Sequence, residues 1–312
     1  QKMDDALRVR LKNLQFDINY ILKSDYRFNV EWYKKKFHKM PDFQNPTTFA
    51  EKLLFLKMHY NNMLQNVCAD KYTVMEYVRQ CGYPEIIKEC YQVCMYPDEI
   101  DLSLMPDRFF IQCSHTQGHN YVIDKKDKDK LEKVKKIYRQ LLKRKHYKVL
   151  RENCYKYIQP RIICSEYLEE KGKASLTDYK FYCFSGEPKY FMVSYGEFEH
   201  DVKNHKFDME WNSIDHYFKR QPAIPATDIV RPANFEKMVE IAKKLSAPFP
   251  HVRVDLYNLE GRIVFGEMTF YSAGGFVKID AEDMNRTVGG WIDLSKYKCD
   301  LIRGVHLDEK YR

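Results

Sequence analysis

The sequence lacks any apolar segment long enough to cross a membrane, and it lacks a recognisable export signal. No run of about eighteen apolar residues, the usual minimum for a spanning helix, occurs among its 312 residues. Residues 1–10 mix charges of both signs and contain no apolar signal core. These absences predict a cytoplasmic protein that could still touch the inner face of the plasma membrane peripherally.

Closely spaced cysteines are also missing. The nine cysteines are scattered, and none forms a Cys-x-x-Cys pair. A disulfide framework or a structural zinc site needs tighter clustering, so we expect free thiols in a reducing compartment. Internal repeats and low-complexity tracts are absent too, whereas an aromatic content of 15% allows a sizeable buried core.

Positive charge is abundant and unevenly distributed. The net charge is +8, and much of the excess lies in residues 125–148. Apolar residues recur there at helical spacing, which predicts an amphipathic helix with a cationic outer face. That face is either simply solvated or attracts anionic lipid, a lipid-linked glycan or an acidic glycan. No nucleic-acid motif accompanies the charge, so nucleic acid is not an expected partner.

The first half of the chain predicts helices followed by short strands. Residues 1 to about 40 look helical, and Asn45–Thr48 marks a break before a new helix with Glu51 near the capping-box position. This helix should end near 61–62. Further predictions are a helix at 70–80, strands at 108–113, 121–123 and 161–168, and a turn at 115–120.

The second half predicts mainly antiparallel strands, which makes the fold class α+β. One hairpin is expected from 179–184 and 189–195, and another from 251–257 and 262–270. A helix capped by Asn234 should run to Leu245. Residues 201–234 are expected to be rich in loops.

The last hairpin contains the strongest candidate for chemistry, HVRVDLYNLEGRIVFGEMTF. Arg253 and Asp255 are two residues apart on one strand and therefore share a face, as do Glu267 and Thr269 on the next. If the two faces coincide, a pair of carboxylates gathers where Mg²⁺ and phosphate oxygens could bind. The alternative is a surface hairpin with a cross-strand Arg–Asp pair.

Several histidines and acids outside this hairpin are further candidates. His115 and His119 flank Gly118 and are either phosphate or proton-transfer groups or exposed loop residues. A second set resembles a metal site at first sight, but its long hydrophilic loop favours substrate contact or plain surface. This set consists of His200, Asp201, His205 and Asp208.

Six ordered blocks resemble the TupA-like branch of the ATP-grasp superfamily, which is named for a teichuronopeptide-synthesis protein. The resemblance covers about residues 45–295. The blocks are NPTTFAEKLLFLK (45–57), ADKY (69–72), CSHTQGHN (113–120), PRIICSEYLEE (160–170), DYKFYCFSGEPK (178–189) and RVDLYNLEGRIVFGEMTF (253–270).

The resemblance implies a fold of two α+β lobes whose antiparallel sheets enclose a nucleotide. Its implied divisions are an N-terminal helical segment (1–45), a helical lobe (46–105), a central lobe with the nucleotide-covering loop and basic helix (106–175), a C-terminal lobe with the metal and catalytic site (176–295), and a tail (296–312). ATP and Mg²⁺ are the implied cofactors.

The resemblance also assigns expected roles to individual residues. Asp255 and Glu267 correspond to metal ligands, Thr269 stands where many relatives have an Asn ligand, and Arg253 corresponds to the cation that stabilises the reaction intermediate. The expected nucleotide-binding residues are Lys71, Gln112, His115, Gly118, His119, Asn120, Glu166, Tyr167, Leu168 and Lys180, with Glu169 or Glu170 near the ribose.

Two departures from the family pattern keep alternative functions open. Gln112 stands where relatives usually have a phosphate-facing Lys, and the loop at 114–120 is poor in the glycines that let backbone amides approach phosphate. The leading hypothesis is an ATP- and Mg²⁺-dependent carboxylate–amine ligase of bacterial surface-polysaccharide biosynthesis, which modifies a sugar or glycan. The alternatives are a glycosyltransferase that uses a nucleotide sugar such as a UDP-sugar, and a non-catalytic glycan- or membrane-associated scaffold.

Overall fold

The computed structural model describes residues 4–173, 175–195, 203–218 and 229–300. Its α-helices, in chain order, are α1 (Asp5–Leu22), α2 (Asp25–Phe37), α3 (Phe49–His59), α4 (Met63–Ala69), α5 (Val74–Gln80), α6 (Lys128–Leu141), α7 (Tyr147–Leu150), α8 (Phe235–Ser246) and α9 (Glu282–Gly290). Within these ranges, every helix is too short or too polar to span a bilayer.

The strands form two antiparallel sheets. A four-stranded sheet has the order β1-β4-β2-β3, and a five-stranded sheet has the order β7-β6-β5-β8-β9. The strands are β1 (Cys90–Cys94), β2 (Arg108–Cys113), β3 (Tyr121–Asp124), β4 (Ile162–Ser165), β5 (Asp178–Phe184), β6 (Glu187–Tyr195), β7 (Lys203–Asp208), β8 (His251–Leu259) and β9 (Arg262–Thr269). The predicted α+β class is confirmed.

The chain divides into two compact units, each containing one sheet. The first unit takes in residues 1–27, 63–77 and 87–168. Its core joins Phe109 and Ile111 of β2 to Leu131, Val134 and Tyr138 of α6, so the amphipathic α6 covers one face of the four-stranded sheet. The predicted basic helix is therefore real, but it runs over 128–141 and is followed by the separate short α7.

The second unit takes in residues 28–62, 78–86 and the chain from 169 onward. In it, α8 covers one face of the five-stranded sheet, where Phe235 packs 5.7 Å from Phe181 between ring centroids. Since side chains alternate along a strand, the even-numbered residues of β5 point to the opposite face. That opposite face carries the candidate site.

The start of α3 follows the predicted capping box. The Thr48 hydroxyl accepts from the Glu51 amide at 3.4 Å, and the Glu51 carboxylate accepts from the Thr48 amide at 3.0 Å. The Glu51 carboxylate also accepts from the Asp42 amide at 3.2 Å. These bonds to the carboxylate fix the chain that enters α3.

Several predicted boundaries are wrong for local reasons. No helix begins at Asp70, because its carboxylate accepts from the Tyr72 amide at 2.9 Å and holds a turn between α4 and α5. Asn234 starts α8 without a side-chain cap, since its amide group donates to the Gly261 carbonyl at 2.8 Å. The strand predicted at 161–168 is confined to β4.

The sequence analysis did not predict two of the strands, β1 and β7. β1 pairs with β4, and β7 pairs with β6 inside the stretch expected to be loop. The sequence of β7, KNHKFD, is largely polar and gives little strand signal. Its pairing along β6 makes it an edge strand of the sheet.

Candidate active site

The candidate site is built on the β8–β9 hairpin, which the sequence predicts. Glu260 and Gly261 both adopt positive φ (50° and 100°), as a tight two-residue hairpin turn requires. The resulting register places Asp255 opposite Glu267 and Arg253 opposite Thr269. All four side chains therefore share one face of the sheet.

A bulge at Gly266 produces this alignment. The register shifts between Asp255, which pairs with Glu267, and Leu256, which pairs with Phe265, so Gly266 has no partner of its own. A Cβ atom at Gly266 would lie only 3.0 Å from the Asp255 carbonyl oxygen. Glycine is needed at this position because the two backbones come close here.

Arg253 lies at the centre of the site and binds three other side chains. Its Nε and Nη2 donate to the two carboxylate oxygens of Asp255, each at 2.6 Å. Nη2 also lies 3.2 Å from Oε1 of Glu267 and 3.0 Å from the Thr269 hydroxyl. The hydroxyl in turn donates to Glu267 at 3.0 Å, which closes the network.

Lys180 adds a second cation from the neighbouring strand. It is the register partner of Asp255 on β5, and its Nζ lies 3.3 Å from Oδ2 of that carboxylate. Nζ also pairs with Asp178, two residues earlier on the same face of β5. The site thus combines three carboxylates with two cations, which leaves it with a net charge of −1.

Burial makes these charges interact strongly. Asp255 is 1% exposed, whereas the Glu267 side chain is 39% exposed. Burial by itself would lower the pKa of Arg253, but attraction to the Asp255 carboxylate outweighs it and raises that pKa well above its ordinary value. Arg253 is therefore a permanent cation. The alternative of a plain surface hairpin is wrong, because Asp255 is buried.

The oxygen atoms of the site suit a hard cation such as Mg²⁺. Asp255, Glu267 and Thr269 present two carboxylates and one hydroxyl on one face, and Mg²⁺ prefers carboxylate oxygens supplemented by phosphate and water. Among the described residues, however, no group of three or more His, Cys, Asp or Glu is arranged to hold a metal ion. The residues fit an ion that also takes ligands from a bound nucleotide.

Other predicted site residues lie in the first unit, around the loop from 114 to 120. Lys71 donates its backbone N–H to the Ser114 carbonyl at 3.1 Å and its Nζ to the Thr116 carbonyl at 2.8 Å, so it ties the start of the loop in place. Gly118 and His119 both adopt positive φ (71° and 55°). Asn120 is exposed, and Gln112 is buried at the end of β2.

The two loop histidines differ in their surroundings. His115 is 2% exposed, with Nε2 3.2 Å from the Leu141 carbonyl oxygen, so its description as an exposed loop residue is wrong. Burial lowers the pKa of His115 to about 4 and also lowers that of the half-buried His119. His115 is therefore uncharged at neutral pH.

The segment of expected nucleotide-binding residues at 166–168 directly follows β4. The Glu166 amide donates to the Glu89 carbonyl at 2.8 Å, and Arg108 stacks 4.7 Å from the Tyr167 ring centroid. Leu168 is buried. Further along, in the second unit, Glu170 accepts from the Thr177 amide at 2.7 Å and pairs with Lys173. Glu169, the other residue expected near the ribose, directly precedes Glu170 in the chain.

The second, metal-like set does not form a metal cluster within the described residues. Nδ1 of His205 lies 3.0 Å from Asp215, and Asp208 accepts from the amides of Glu210 and Asn212. His200 and Asp201 lie outside the described residues. Asp208 therefore stabilises a turn.

Sequence reasoning missed two contributors to the main site, Asp178 and Gly266. Asp178 could have been found from its spacing, since it precedes Lys180 by two residues on the same strand. The bulge at Gly266 had a weaker signal, namely a glycine inside a strand pattern.

A family model described as TupA-like ATP-grasp matches residues 51–293, well over half of the chain. The chain belongs to this family, so the predicted family and its ATP-grasp fold class are confirmed. No curated protein sequence matches the chain significantly.

Solved structures give distant similarities. The D-alanine–D-alanine ligase of Helicobacter pylori has 13% identity and a TM-score of 0.44, covering 78% of this chain and 66% of the ligase. The same ligase from Bacillus anthracis, complexed with ATP, has 13% identity and a TM-score of 0.40, covering 74% and 68%. A RiPP-associated ATP-grasp ligase of Chryseobacterium gregarium, in complex with ADP and peptides, has 12% identity and a TM-score of 0.36, covering 75% and 61%.

Proposed function

We propose that this ATP-grasp protein is an ATP- and Mg²⁺-dependent carboxylate–amine ligase that modifies a sugar or glycan in bacterial surface-polysaccharide biosynthesis. The observation that carries the proposal is the meeting of Asp255, Glu267 and Thr269 around Arg253, beside Lys180. A buried cluster of alternating charges on a sheet face is costly unless it is paired or binds a ligand. Its net negative charge favours a cation as that ligand.

Each residue of the cluster has a distinct proposed role. Glu267 is the more exposed carboxylate and is the one we expect to meet an incoming ion first. Asp255 is held in place by Arg253 and Lys180, so its orientation is fixed before binding. Bound Mg²⁺ would neutralise negative charge on the phosphates. The cations Arg253 and Lys180 would stabilise negative charge that develops during transfer.

The proposed reaction has two steps that balance without a further reactant. A substrate carboxylate oxygen attacks the γ-phosphorus of ATP, which yields an acyl phosphate and ADP. An amine nitrogen then attacks the acyl carbon, inorganic phosphate leaves, and the nitrogen loses one proton to give an amide. A uronic acid or an amino acid is the proposed carboxylate. This part of the proposal is supported by the resemblance to a family named for teichuronopeptide synthesis.

Two measurements on the purified chain test this proposal. The first is a thermal-shift panel of ATP, ADP, UDP and UDP-sugars, each with Mg²⁺, in which binding raises the unfolding temperature by mass action. The second is ADP release with uronic acids or amino acids plus amine acceptors, with mass spectrometry of the product. Stabilisation by ATP and amide formation are expected. Stabilisation by a UDP-sugar but not ATP would replace the ligase by a glycosyltransferase, and no response to any nucleotide would favour a scaffold.

We also propose nucleotide contacts for the predicted residues of the first unit. Lys71 and the loop at 114–120 are proposed to meet phosphate through backbone amides, since the positive φ of Gly118 and His119 shapes a turn of the kind that binds anions. Glu166, Tyr167 and Leu168 are proposed to meet the adenine.

A further inference from the structure

The first helix, α1, has two apolar faces and packs only one of them within the first unit. On the inner face Val9 is buried, Asn13 donates to the Gln140 carbonyl at 2.8 Å, and the Tyr20 ring lies 5.6 Å from that of Tyr147. These contacts fix α1 against α6 and α7. The orientation of its other face is therefore set by the fold.

The outer face carries a continuous line of large apolar side chains, which we call the α1 stripe. Its members are spaced alternately by four and three residues, so they align along one side of the helix. Each is between 44% and 78% exposed. The α1 stripe consists of Leu7, Leu11, Leu14, Ile18 and Ile21.

Exposed basic residues lie on α1 and on α6, which packs against it. Arg8, Arg10 and Lys12 are exposed on α1 itself. On α6, which contacts α1 through the hydrogen bond from Asn13 to the Gln140 carbonyl, Lys133 and Lys136 are exposed. Residues 125–148 contain twelve Lys and Arg against three Asp and Glu, so this region alone accounts for the net positive charge of the chain.

We propose that the α1 stripe, with the basic residues of α1 and α6 beside it, is a docking surface for an anionic lipid bilayer. An apolar helix face flanked by Lys and Arg lies in the headgroup region with its apolar side chains inserted. The 18 residues of α1 give a helix about 27 Å long that would lie flat on the surface. The α1 stripe shares no residue with the proposed catalytic site, and the proposal does not rest on that site.

Charge argues against a second copy of the chain as the occupant. The spacing of the stripe also suits a coiled coil, but stable examples usually extend over about three or four heptads, and α1 is shorter. The positions flanking the stripe are Arg8, Arg10, Gln15 and Asp17, and Asp17 is already paired with Lys148 at 2.6 Å. Two such helices would bring basic residues together without acidic partners.

Vesicle co-sedimentation tests the proposal directly. The wild-type chain is mixed with vesicles containing roughly 30% phosphatidylglycerol in phosphatidylcholine, or phosphatidylcholine alone, at low and high salt. The test variant is Leu11→Gln/Leu14→Gln/Ile18→Gln, and the matched control is Leu104→Gln, an exposed leucine of the same unit outside the stripe. Circular dichroism and thermal unfolding check that all variants fold.

We expect the wild type and the control to bind anionic vesicles, more weakly at high salt. The triple variant should lose about a thousandfold in affinity, because each of the three inserted side chains contributes roughly a factor of ten. Lys133→Glu/Lys136→Glu should bind more weakly with a smaller salt dependence. Wild-type binding that is absent, or unchanged in the triple variant, overturns the proposal. So does a lipid-free wild-type dimer in sedimentation velocity that the triple variant converts to monomer.

Discussion

Asp255 and Glu267 are cross-strand neighbours, and both accept a hydrogen bond from Nη2 of Arg253, at 2.6 and 3.2 Å. One guanidinium group therefore holds two carboxylates that would otherwise repel each other. The arrangement depends on the hairpin register, on the bulge at Gly266 and on the burial of Asp255. Each of these dependences can be tested separately.

The bulge is tested by Gly266→Ala. The added Cβ would lie 3.0 Å from the Asp255 carbonyl oxygen and 3.2 Å from the Tyr257 ring, so the strands must separate. We expect a loss of about 1–3 kcal/mol in the free energy of unfolding and a clear fall in activity. The matched control is Gly290→Ala, where a Cβ meets no atom within 4 Å. Urea unfolding that shows the same small effect for both variants would contradict the account of the bulge.

The ion pair is tested by Arg253→Met. Removing the guanidinium leaves the Asp255 carboxylate buried with one cationic neighbour fewer, which should lower the free energy of unfolding by about 3–5 kcal/mol. The double variant Arg253→Met/Asp255→Leu removes both charges and should recover much of that stability while remaining inactive. If the single variant is as stable as the wild type in urea unfolding, the pairing does not stabilise the fold.

Buried histidines should make the fold sensitive to acid. Burial lowers the pKa of His251 to about 3 and that of His115 to about 4, whereas an unfolded His titrates near 6.5. Between these values the unfolded chain binds protons that the folded chain does not, so stability falls as the pH drops from about 6.5 towards 4. The slope is about 1.4 kcal/mol per pH unit for each histidine.

This dependence can be assigned by substitution. Urea unfolding of His251→Gln from about pH 7 down to pH 5 gives the slope of the free energy of unfolding against pH. We expect this slope to fall by the contribution of one histidine, about 1.4 kcal/mol per pH unit. His251 donates Nδ1–H to the Cys183 carbonyl at 2.9 Å in its neutral form, and the Gln amide can donate there instead. An unchanged slope would mean that His251 protonates in the folded state.

The sequence predicted the core of the site because strand periodicity is strict. Arg253 and Asp255 had to share a face, and the turn at 258–261 had to pair their strand with the next. It could not predict how Lys180 reaches Asp255, because that contact depends on the pairing of β5 with β8, which are 67 or more residues apart in the chain. Long-range strand order leaves no local pattern.

The misplaced elements failed for a related reason. The sequence predicted a helix start at Asp70, but in the structure the Asp70 side chain accepts from the Tyr72 amide and holds a turn. The sequence also predicted loop at β7, which forms a strand because it pairs with β6. Polar residues at such positions take the structure that their neighbours impose. The capping box at Thr48 and Glu51 was predicted because all of its partners lie within four residues.

The most direct measurement is calorimetric titration of ATP into the chain with and without Mg²⁺, comparing Glu267→Gln with the control Glu260→Gln in the hairpin turn. The side chain of Glu267 is 39% exposed, so the substitution should fold normally. We predict that Glu267→Gln loses about 10–100-fold of the Mg²⁺-dependent affinity, as loss of a metal-site carboxylate does, while Glu260→Gln keeps it. Equal Mg²⁺-dependent affinity in both variants would contradict the assignment of Glu267, and with it the proposed site.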